Sequence, residues 1–368
     1  LAANAWLPPC ANDRLWRLER GLSSQIDSLQ LHDRPFPLYV AVGIDHKRSE
    51  GEESNEYHWY EFSPFSFSSI QTAQRIPIWS LGRSFQSGRS CSVIPEFPLG
   101  VCMGIWGAAF TASTEEVKKN YRSTSSRAQS RRDVVQIIHD TLHILDSNSS
   151  EQTVEETSAV KTSSRAGSIR MVEPFQCFNP FFQDSNQQLE AARTDAEMSN
   201  LRLTDAGVHM NAPLPALLRT ERASDVILLL DSRSTSGEAD VNDSFDVLKP
   251  AEEFARHRSL PFPTIREQDL QDIGRRRCTV LGGDDESGPE IVYIPLVKNE
   301  EVDGELDPLH TPWCDFMEFA YEPEHFERLF KLAYENFRSC ESCILEVFRR
   351  AVDKKRKLTA SHKTSATP

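Results

Sequence analysis

Residues 201–215 read LRLTDAGVHMNAPLP, and the fold of the chain is organised around them. The apolar run that leads to Asp205 predicts a buried strand, and the small residue and glycine that follow it predict a tight turn. The asparagine and the two spaced prolines beyond disfavour an ordinary helix. Because ligands of open α/β sheets bind beyond the carboxyl ends of strands, Asp205 is a candidate for chemistry. The same pattern also fits an aspartate that merely caps the turn.

Several other segments have the composition of strands. Residues 37–43, PLYVAVG, are rich in β-branched residues and stop at a glycine, and residues 57–62, YHWYEF, alternate. Residues 225–231, DVILLLD, form an unbroken apolar run, which predicts a strand covered on both faces, as in a central α/β sheet. The acidic loop 282–288 lies between two short apolar runs, and it predicts a hairpin turn in preference to a calcium site, because its oxygen ligands lack the required spacing.

Apolar residues that recur every three or four positions predict helices in several parts of the chain. The glycines near residue 104 are expected to let one helix pack closely against a neighbouring backbone. We expect the basic tail, residues 354–368, to be solvated and disordered. The segments predicted as helical are residues 15–29, 102–110, 248–258, 323–337 and 342–352.

Residues 111–170 differ in composition from the rest, because serine, threonine, glutamate and arginine dominate and aromatic residues almost vanish. We interpret this segment as a mobile polar insertion. The aromatic stretch at 175–182, FQCFNPFF, follows it. Those aromatic residues fit either a lid or membrane-dipping loop, or an anchor that fixes the insertion to the core.

The composition excludes some classes of function. The chain has 368 residues, 39% of them hydrophobic, and a formal net charge of −14. Such an acidic balance argues against nucleic-acid binding, which needs clustered Lys and Arg, and against adhesion to anionic lipid by charge alone. No apolar run approaches the ~20 residues of a transmembrane helix.

The eight cysteines do not form a recognisable metal set. Only Cys340 and Cys343 form a Cys-x-x-Cys pair, and no second pair or nearby histidine completes a zinc site, so we predict no metal. The helical context favours two ordinary thiols. Free thiols without a signal peptide indicate a reducing, cytosolic setting, although the chain opens with Leu1 and not with methionine.

A serine near the start of the chain invites comparison with a nucleophile elbow. Ser23 follows Gly21-Leu22, but the second glycine that the tight strand-to-helix turn of an elbow requires is absent. We therefore interpret Ser23 as a serine on a helix surface.

Five stretches taken together resemble one family, the catalytic domain of the cytosolic (group IV) phospholipase A2 enzymes, which are related to fungal lysophospholipases. The resemblance covers most of the chain from about residue 37 to residue 345, apart from the polar insertion. The stretches are WYEFSP at 59–64, MGIWGAAF at 103–110, LTDAGVHMNAPLP at 203–215 with Leu218-Arg219 after it, DVILLLD at 225–231 and LPFP at 260–263.

The resemblance implies an α/β fold, a patatin-like and α/β-hydrolase-like layered core around a central mixed sheet. It also implies a Ser–Asp dyad in which Asp205 is the general base. The family's nucleophilic serine belongs to a Gly-x-Ser-Gly elbow, and no such elbow occurs in this sequence. We therefore expect residues 1–368 to be a single partial catalytic domain, truncated on the N-terminal side, with the insertion as a lid.

The implied function is hydrolysis of a phospholipid acyl ester by phospholipase A2 or lysophospholipase chemistry, through an acyl-enzyme. Its substrate is a glycerophospholipid presented at a membrane surface. We expect a cytoplasmic monomer that associates reversibly with membranes and has no cofactor within this chain. In many family members an upstream lipid-binding module that depends on Ca²⁺ brings the enzyme to the membrane.

Two alternatives remain open. One is a non-catalytic lipid-binding or scaffold relative of the same fold, which an upstream reading frame without a serine elbow would indicate. The other is a regulator whose serine-rich insertion is phosphorylated. This role is compatible with a hydrolase and with a non-catalytic relative. The residues that bind the substrate are not identified by the sequence.

Overall fold

The computed structural model describes residues 20–29, 34–49, 52–86, 89–108, 174–181, 199–222, 224–232, 248–271, 273–283, 288–314 and 321–365. The chain divides into two units, Leu1–Ala109 with Pro174–Pro368, and Phe110–Glu173. All described residues belong to the first unit. The predicted polar insertion, residues 111–170, lies outside them.

Extended segments supply most of the framework. The strands are β1 (Tyr39–Ser49), β2 (Glu52–Phe62), β3 (Ser66–Ser69), β4 (Arg75–Pro77), β5 (Phe85–Gln86), β6 (Arg89–Ser90), β7 (Phe175–Phe178), β8 (Asn200–Asp205), β9 (Val226–Asp231), β10 (Thr279–Leu281) and β11 (Glu290–Pro295).

Seven α-helical segments accompany these strands in the described part of the chain. They are α1 (Ile26–Leu29), α2 (Leu99–Trp106), α3 (Leu214–Leu217), α4 (Leu248–His257), α5 (Glu267–Leu270), α6 (Pro323–Ser339) and α7 (Glu341–Ser365).

The larger sheet has six strands in the order β4-β3-β2-β1-β8-β7, and every neighbouring pair is antiparallel. β1 and β2 form a long antiparallel ribbon and pair along their whole length, from Tyr39 opposite Phe62 to Ser49 opposite Glu52. The predicted stop at Gly43 is wrong, because β1 continues to Ser49. Gly43 instead permits a close approach: a Cβ atom there would lie 2.9 Å from Cε2 of Tyr60.

The aromatic stretch after the insertion forms the edge of this sheet. Residues 175–178 form β7, which pairs with β8, and Phe181 is buried with its ring stacked 5.9 Å from that of Phe67. Anchoring to the core therefore describes these aromatic residues better than a lid or a membrane-dipping loop does. Phe182 lies outside the described residues.

The smaller sheet has the order β10-β11-β9. β10 and β11 are antiparallel, as the predicted hairpin requires, and β11 and β9 are parallel, so mixed pairing occurs in this sheet. The prediction that β9 is covered on both faces is wrong. Its side chains alternate, and Leu228 and Leu230 are 38% and 62% exposed, because β9 is an edge strand of the described sheet.

Apolar side chains cover both faces of the β1–β2 ribbon. Val42 and Trp59 belong to a core that includes Ile227 and Tyr293 of the smaller sheet and Phe254 of α4. Their chain neighbours Ala41 and Tyr60 face a second core that contains Leu203 and Ile105. This alternation produces the layered α/β architecture that the sequence predicts.

A buried ion cluster joins the larger sheet to the segment that follows α3. Both carboxylate oxygens of Glu61 accept hydrogen bonds from Arg222, each 2.8 Å long. Arg219 is buried beside them, 3.9 Å from Glu61, and donates to Ser68 at 3.0 Å. Removing one member would leave buried charge without its partner, which costs roughly 3–5 kcal/mol. The cluster thus gives a structural role to Glu61 in WYEFSP and to Arg219.

The helix beyond Asn211, α3, has only four residues, which agrees with the prediction against an ordinary helix. Two other predictions need correction. A Cβ atom added to Gly104 in α2 would meet no other atom within 4 Å, so this glycine does not mark a close helix contact. The basic residues 354–357 are not disordered, because α7 runs through them to Ser365, and Lys355 contacts Asp225 at 2.5 Å.

No helix among the described residues has the length and apolar composition needed to cross a membrane.

The contrast between two strand leucines tests this architecture. Leu203 of β8 is fully buried, whereas Leu230 of β9 is 62% exposed. We expect Leu203→Ala to lower the free energy of unfolding by about 3 kcal/mol, because it leaves a cavity in the core. Leu230→Ala is the matched control and should cost less than about 1 kcal/mol. Urea unfolding measures both, and equal losses would contradict the described burial.

Candidate active site

Asp205 lies at the C-terminal end of β8, a strand of the larger sheet. It is the last residue of β8, and Ala206–Val208 form a 3-10 turn directly after it. Antiparallel pairing with β1 places Asp205 opposite Ala41 and Leu203 opposite Gly43. The predicted buried strand and tight turn are therefore confirmed, with a carboxylate at the junction between them.

The turn holds one oxygen of this carboxylate. The backbone N–H of Gly207 donates to Oδ1 of Asp205 at 2.7 Å. A Cβ atom on Gly207 would lie 3.1 Å from that same oxygen and 3.1 Å from Oδ1 of Asn211, so a side chain there would crowd the carboxylate. Within the described part of the chain, Oδ2 receives no hydrogen bond, which leaves it available to accept a proton.

Burial shifts the proton affinity of Asp205. The side chain is half-buried, and loss of water around the carboxylate raises its pKa, while the Gly207 N–H acts in the opposite direction. Desolvation is the larger effect. A carboxylate with a raised pKa is a better base than an ordinary one.

A hollow of about 320 Å³ opens beside Asp205. Tyr39 and Trp106 form one wall, with their rings stacked 4.1 Å apart. Met210, which is buried, also lines the hollow. The wall is predominantly apolar, which suits a hydrocarbon chain better than a polar ligand. Its lining residues are Leu38, Tyr39, Val40, Trp106, Asp205, Ala206, Gly207, Met210, Asn211 and Pro213.

One hydrogen bond secures the end of α2 to the strand that carries the aspartate. The hydroxyl of Thr204 donates to the backbone carbonyl of Ala108 at 3.0 Å. Trp106 thereby lies on a segment fixed to the residue that precedes Asp205. β8 therefore carries the carboxylate and also holds the segment of Trp106, whereas Tyr39 is the first residue of β1.

The sequence did not indicate a role for His209, yet it lies in the turn after Asp205. Nδ1 of His209 accepts a hydrogen bond from Nε1 of Trp59 at 2.9 Å, and its ring stacks 4.4 Å from that of Tyr57. Burial first, and then the charge of Arg258, lower its pKa to about 4. His209 is therefore neutral at physiological pH and acts as a hydrogen-bond acceptor that fixes the turn to β2. Its position four residues beyond Asp205 was the available signal.

Two further sequence interpretations can be compared with the structure. Ser23 lies, half-buried, in the 3-10 helix Leu22–Gln25 that leads into α1, and its hydroxyl and N–H donate to Glu96 at 2.5 and 2.8 Å. Among the described residues, no group of three or more His, Cys, Asp or Glu side chains has an arrangement suited to a metal ion.

These features define a class of protein. The chain has the patatin-like α/β fold: it matches the structure of human GIVD cytosolic phospholipase A2 with a TM-score of 0.62 and 20% sequence identity, over 92% of this chain and 47% of that one. Residues 22–265 match the model of the lysophospholipase catalytic domain, and the chain belongs to that family.

Similar proteins include mouse cytosolic phospholipase A2 zeta, 24% identical over 91% of this chain and 43% of the relative. Human cytosolic phospholipase A2 epsilon is 24% identical over 95% of this chain and 43% of its own length. A second GIVD structure, in complex with methyl gamma-linolenyl fluorophosphonate, matches with a TM-score of 0.57 and 19% identity over 92% of this chain and 42% of that one. The chain thus spans less than half the length of these relatives.

The neutral state of His209 predicts a pH dependence of stability. The unfolded chain takes up a proton at His209 near pH 6.5, whereas the folded chain does so only near pH 4. The contribution of His209 is therefore full above about pH 6.5 and is lost as the pH falls from there toward 4. We expect urea midpoints at about pH 7 and about pH 5 to differ more for the wild type than for His209→Gln.

His257→Gln provides the control for this measurement, because His257 is exposed on α4. This variant should show the same pH dependence as the wild type. If His209→Gln also retained the whole difference between the two pH values, the buried neutral histidine would not be its source.

Proposed function

We propose that this catalytic domain serves the hydrolysis of a phospholipid acyl ester, by phospholipase A2 or lysophospholipase chemistry. This chain supplies Asp205 as the general base of a Ser–Asp dyad, and the nucleophilic serine lies outside these 368 residues. The observation that carries the proposal is the half-buried carboxylate at the end of β8, beside a predominantly apolar hollow.

The two oxygens of Asp205 have different tasks in this mechanism. Oδ1 is held by the Gly207 N–H, which fixes the orientation of the carboxylate. Oδ2 accepts the proton of the serine hydroxyl as that hydroxyl attacks the ester carbonyl. The raised pKa of Asp205 favours this transfer, because a serine is a poor nucleophile until a base removes its proton.

The remaining steps follow from acyl-transfer chemistry. Backbone N–H groups stabilise the oxyanion of the tetrahedral intermediate, and the leaving alcohol takes the proton from Asp205. Water then attacks the acyl-enzyme, with Asp205 again as the base, so that the fatty acid is released and the serine is restored.

The nature of the hollow supports a lipid substrate. Tyr39, Trp106 and Met210 present carbon surface beside the carboxylate. A structurally similar relative binds methyl gamma-linolenyl fluorophosphonate, whose name describes a long hydrocarbon chain on a reactive phosphorus centre. We propose that the acyl chain of a glycerophospholipid occupies the corresponding space here.

The substrate of such an enzyme lies in a membrane, so the proposal extends to location. We propose a cytoplasmic monomer that associates reversibly with phospholipid surfaces. Ca²⁺ would then act through a lipid-binding module outside this chain and not at Asp205. The related proteins carry the word cytosolic in their names, which supports this location.

A non-catalytic lipid-binding relative is the second candidate, and one contact favours it. The bond from Gly207 to Oδ1 is the contact that a turn-capping aspartate makes, so the carboxylate already has a structural role. Such a protein would use the same hollow to hold a lipid and would leave the ester intact.

Replacing the carboxylate distinguishes these two functions. In the longer protein that carries the nucleophilic segment, we expect Asp205→Asn to lower kcat for phosphatidylcholine hydrolysis by roughly a thousandfold, because the amide cannot accept the serine proton. Its side-chain oxygen still accepts the Gly207 bond, so the urea midpoint should stay close to that of the wild type. Release of labelled fatty acid from vesicles measures the rate.

Asp225→Asn is the matched control, because Asp225 is exposed and lies just before a strand. It should retain the wild-type kcat. Near-native turnover by a folded Asp205→Asn variant would refute the base role. A longer protein that binds vesicles but releases no fatty acid would favour the lipid-binding candidate.

A further inference from the structure

Three cysteines meet where the last two helices pack on the smaller sheet. Cys278 directly precedes β10, Cys340 lies between α6 and α7, and Cys343 lies in the first turn of α7. Cys278 and Cys340 belong to the same apolar cluster as Val292, and all three cysteines are free thiols. Cys278, from a distant part of the chain, therefore lies beside the Cys-x-x-Cys pair that the sequence shows.

The closest pair is not the one that the sequence spacing suggests. The Sγ atoms of Cys278 and Cys343 are 3.0 Å apart. A disulfide bond is close to 2.05 Å long, so the two sulfurs need to approach by only about 1 Å. The two residues are 65 positions apart in the sequence, which is why the pattern alone did not reveal them.

The single S–H of Cys340 is directed toward two backbone carbonyl groups. Its Sγ atom lies 3.2 Å from the carbonyl oxygen of Arg277 and 3.1 Å from that of Asn336. The residue is 2% exposed, whereas Cys278 and Cys343 are half-buried. A small oxidant dissolved in water can therefore reach the Cys278–Cys343 pair more readily than Cys340.

Either thiol of the pair can donate its proton to the other sulfur across this contact. Burial first, and then contacts with Cys343 and Cys340, raise the pKa of the Cys278 thiol. Within the ranges that the structure describes, no metal-binding arrangement includes these thiols.

We propose that Cys278 and Cys343 form a reversible disulfide, and that a hydroperoxide is the oxidant. In the first step the sulfur of one of these two cysteines attacks the O–O bond, becomes a sulfenic acid and releases the alcohol, or water when the oxidant is hydrogen peroxide. In the second step the thiol of the other cysteine attacks the sulfenic sulfur, the S–S bond forms and water leaves. Together the two thiols lose two electrons and two protons, and the hydroperoxide takes up both, so that it is reduced to the alcohol and water.

The bond would join the first turn of α7 to the residue before β10. It would close a loop across the 65 positions between the two cysteines and restrict the unfolded chain. Disulfides in reducing compartments are usually transient and redox-sensing, which fits a pair of half-buried thiols. The inference does not depend on the proposed hydrolysis.

Peptide mapping tests the pairing directly. The folded protein is treated with hydrogen peroxide, the remaining thiols are alkylated with iodoacetamide, and the protein is digested without reductant. We expect a peptide pair linked through Cys278 and Cys343, which disappears after dithiothreitol. We also expect the oxidised protein to unfold at a temperature higher by roughly 5 °C than the reduced protein.

Single variants provide the controls. Cys278→Ser and Cys343→Ser should lose both the linked peptide and the thermal shift. Cys314→Ser should retain both, because Cys314 is buried in a different cluster that contains Leu306 and Leu332. The mapping of the wild-type protein decides the question even if one of these variants fails to fold.

Three results would overturn the proposal. The first is that Cys278 and Cys343 remain fully alkylated after peroxide treatment of the folded protein. The second is a linked peptide that joins Cys340 to either of the other two cysteines. The third is a Cys278–Cys343 link that forms only in urea, because such a link would not depend on the folded arrangement.

Discussion

The register between β1 and β8 is the constraint on which the site depends. With Ala41 opposite Asp205, the side chains of Leu201 and Leu203 enter the core, and the strand ends with its carboxylate beside the hollow. A slip by one residue would turn every side chain of β8 to the other face of the sheet. Gly43 permits the observed packing, because Tyr60 occupies the space that a side chain at that position would need.

Local patterns predicted the elements whose signal lies within one short segment. Strands within β1 and β2, β8 with its turn, and α4 were all evident from composition and periodicity. β9 was misjudged because an unbroken apolar run says nothing about which strands flank it. Its exposed leucines follow from its place at a sheet edge, which is a tertiary property. The basic run after residue 353 was misjudged because its charges suggested a tail, whereas they lie on the exposed surface of a long helix.

The candidate site was only partly predictable for a related reason. The sequence identified Asp205, because its strand and turn are local. It did not connect His209 with Trp59, which are 150 positions apart, or Cys278 with Cys343. It did not show that Tyr39 and Trp106 stack to form one wall of the hollow. Such contacts are set by how distant strands and helices pack, and no short motif encodes them.

The alternating burial of β9 has a consequence for how the protein behaves at high concentration. Leu228 and Leu230 point outward on a strand that ends the described sheet, so apolar side chains accompany backbone groups that can pair with another strand. This combination favours edge-to-edge self-association whenever nothing covers that edge. A partner that pairs with β9 would therefore keep the protein from self-associating in solution. The substitution Leu230→Lys would oppose the same self-association by placing a charge on this strand.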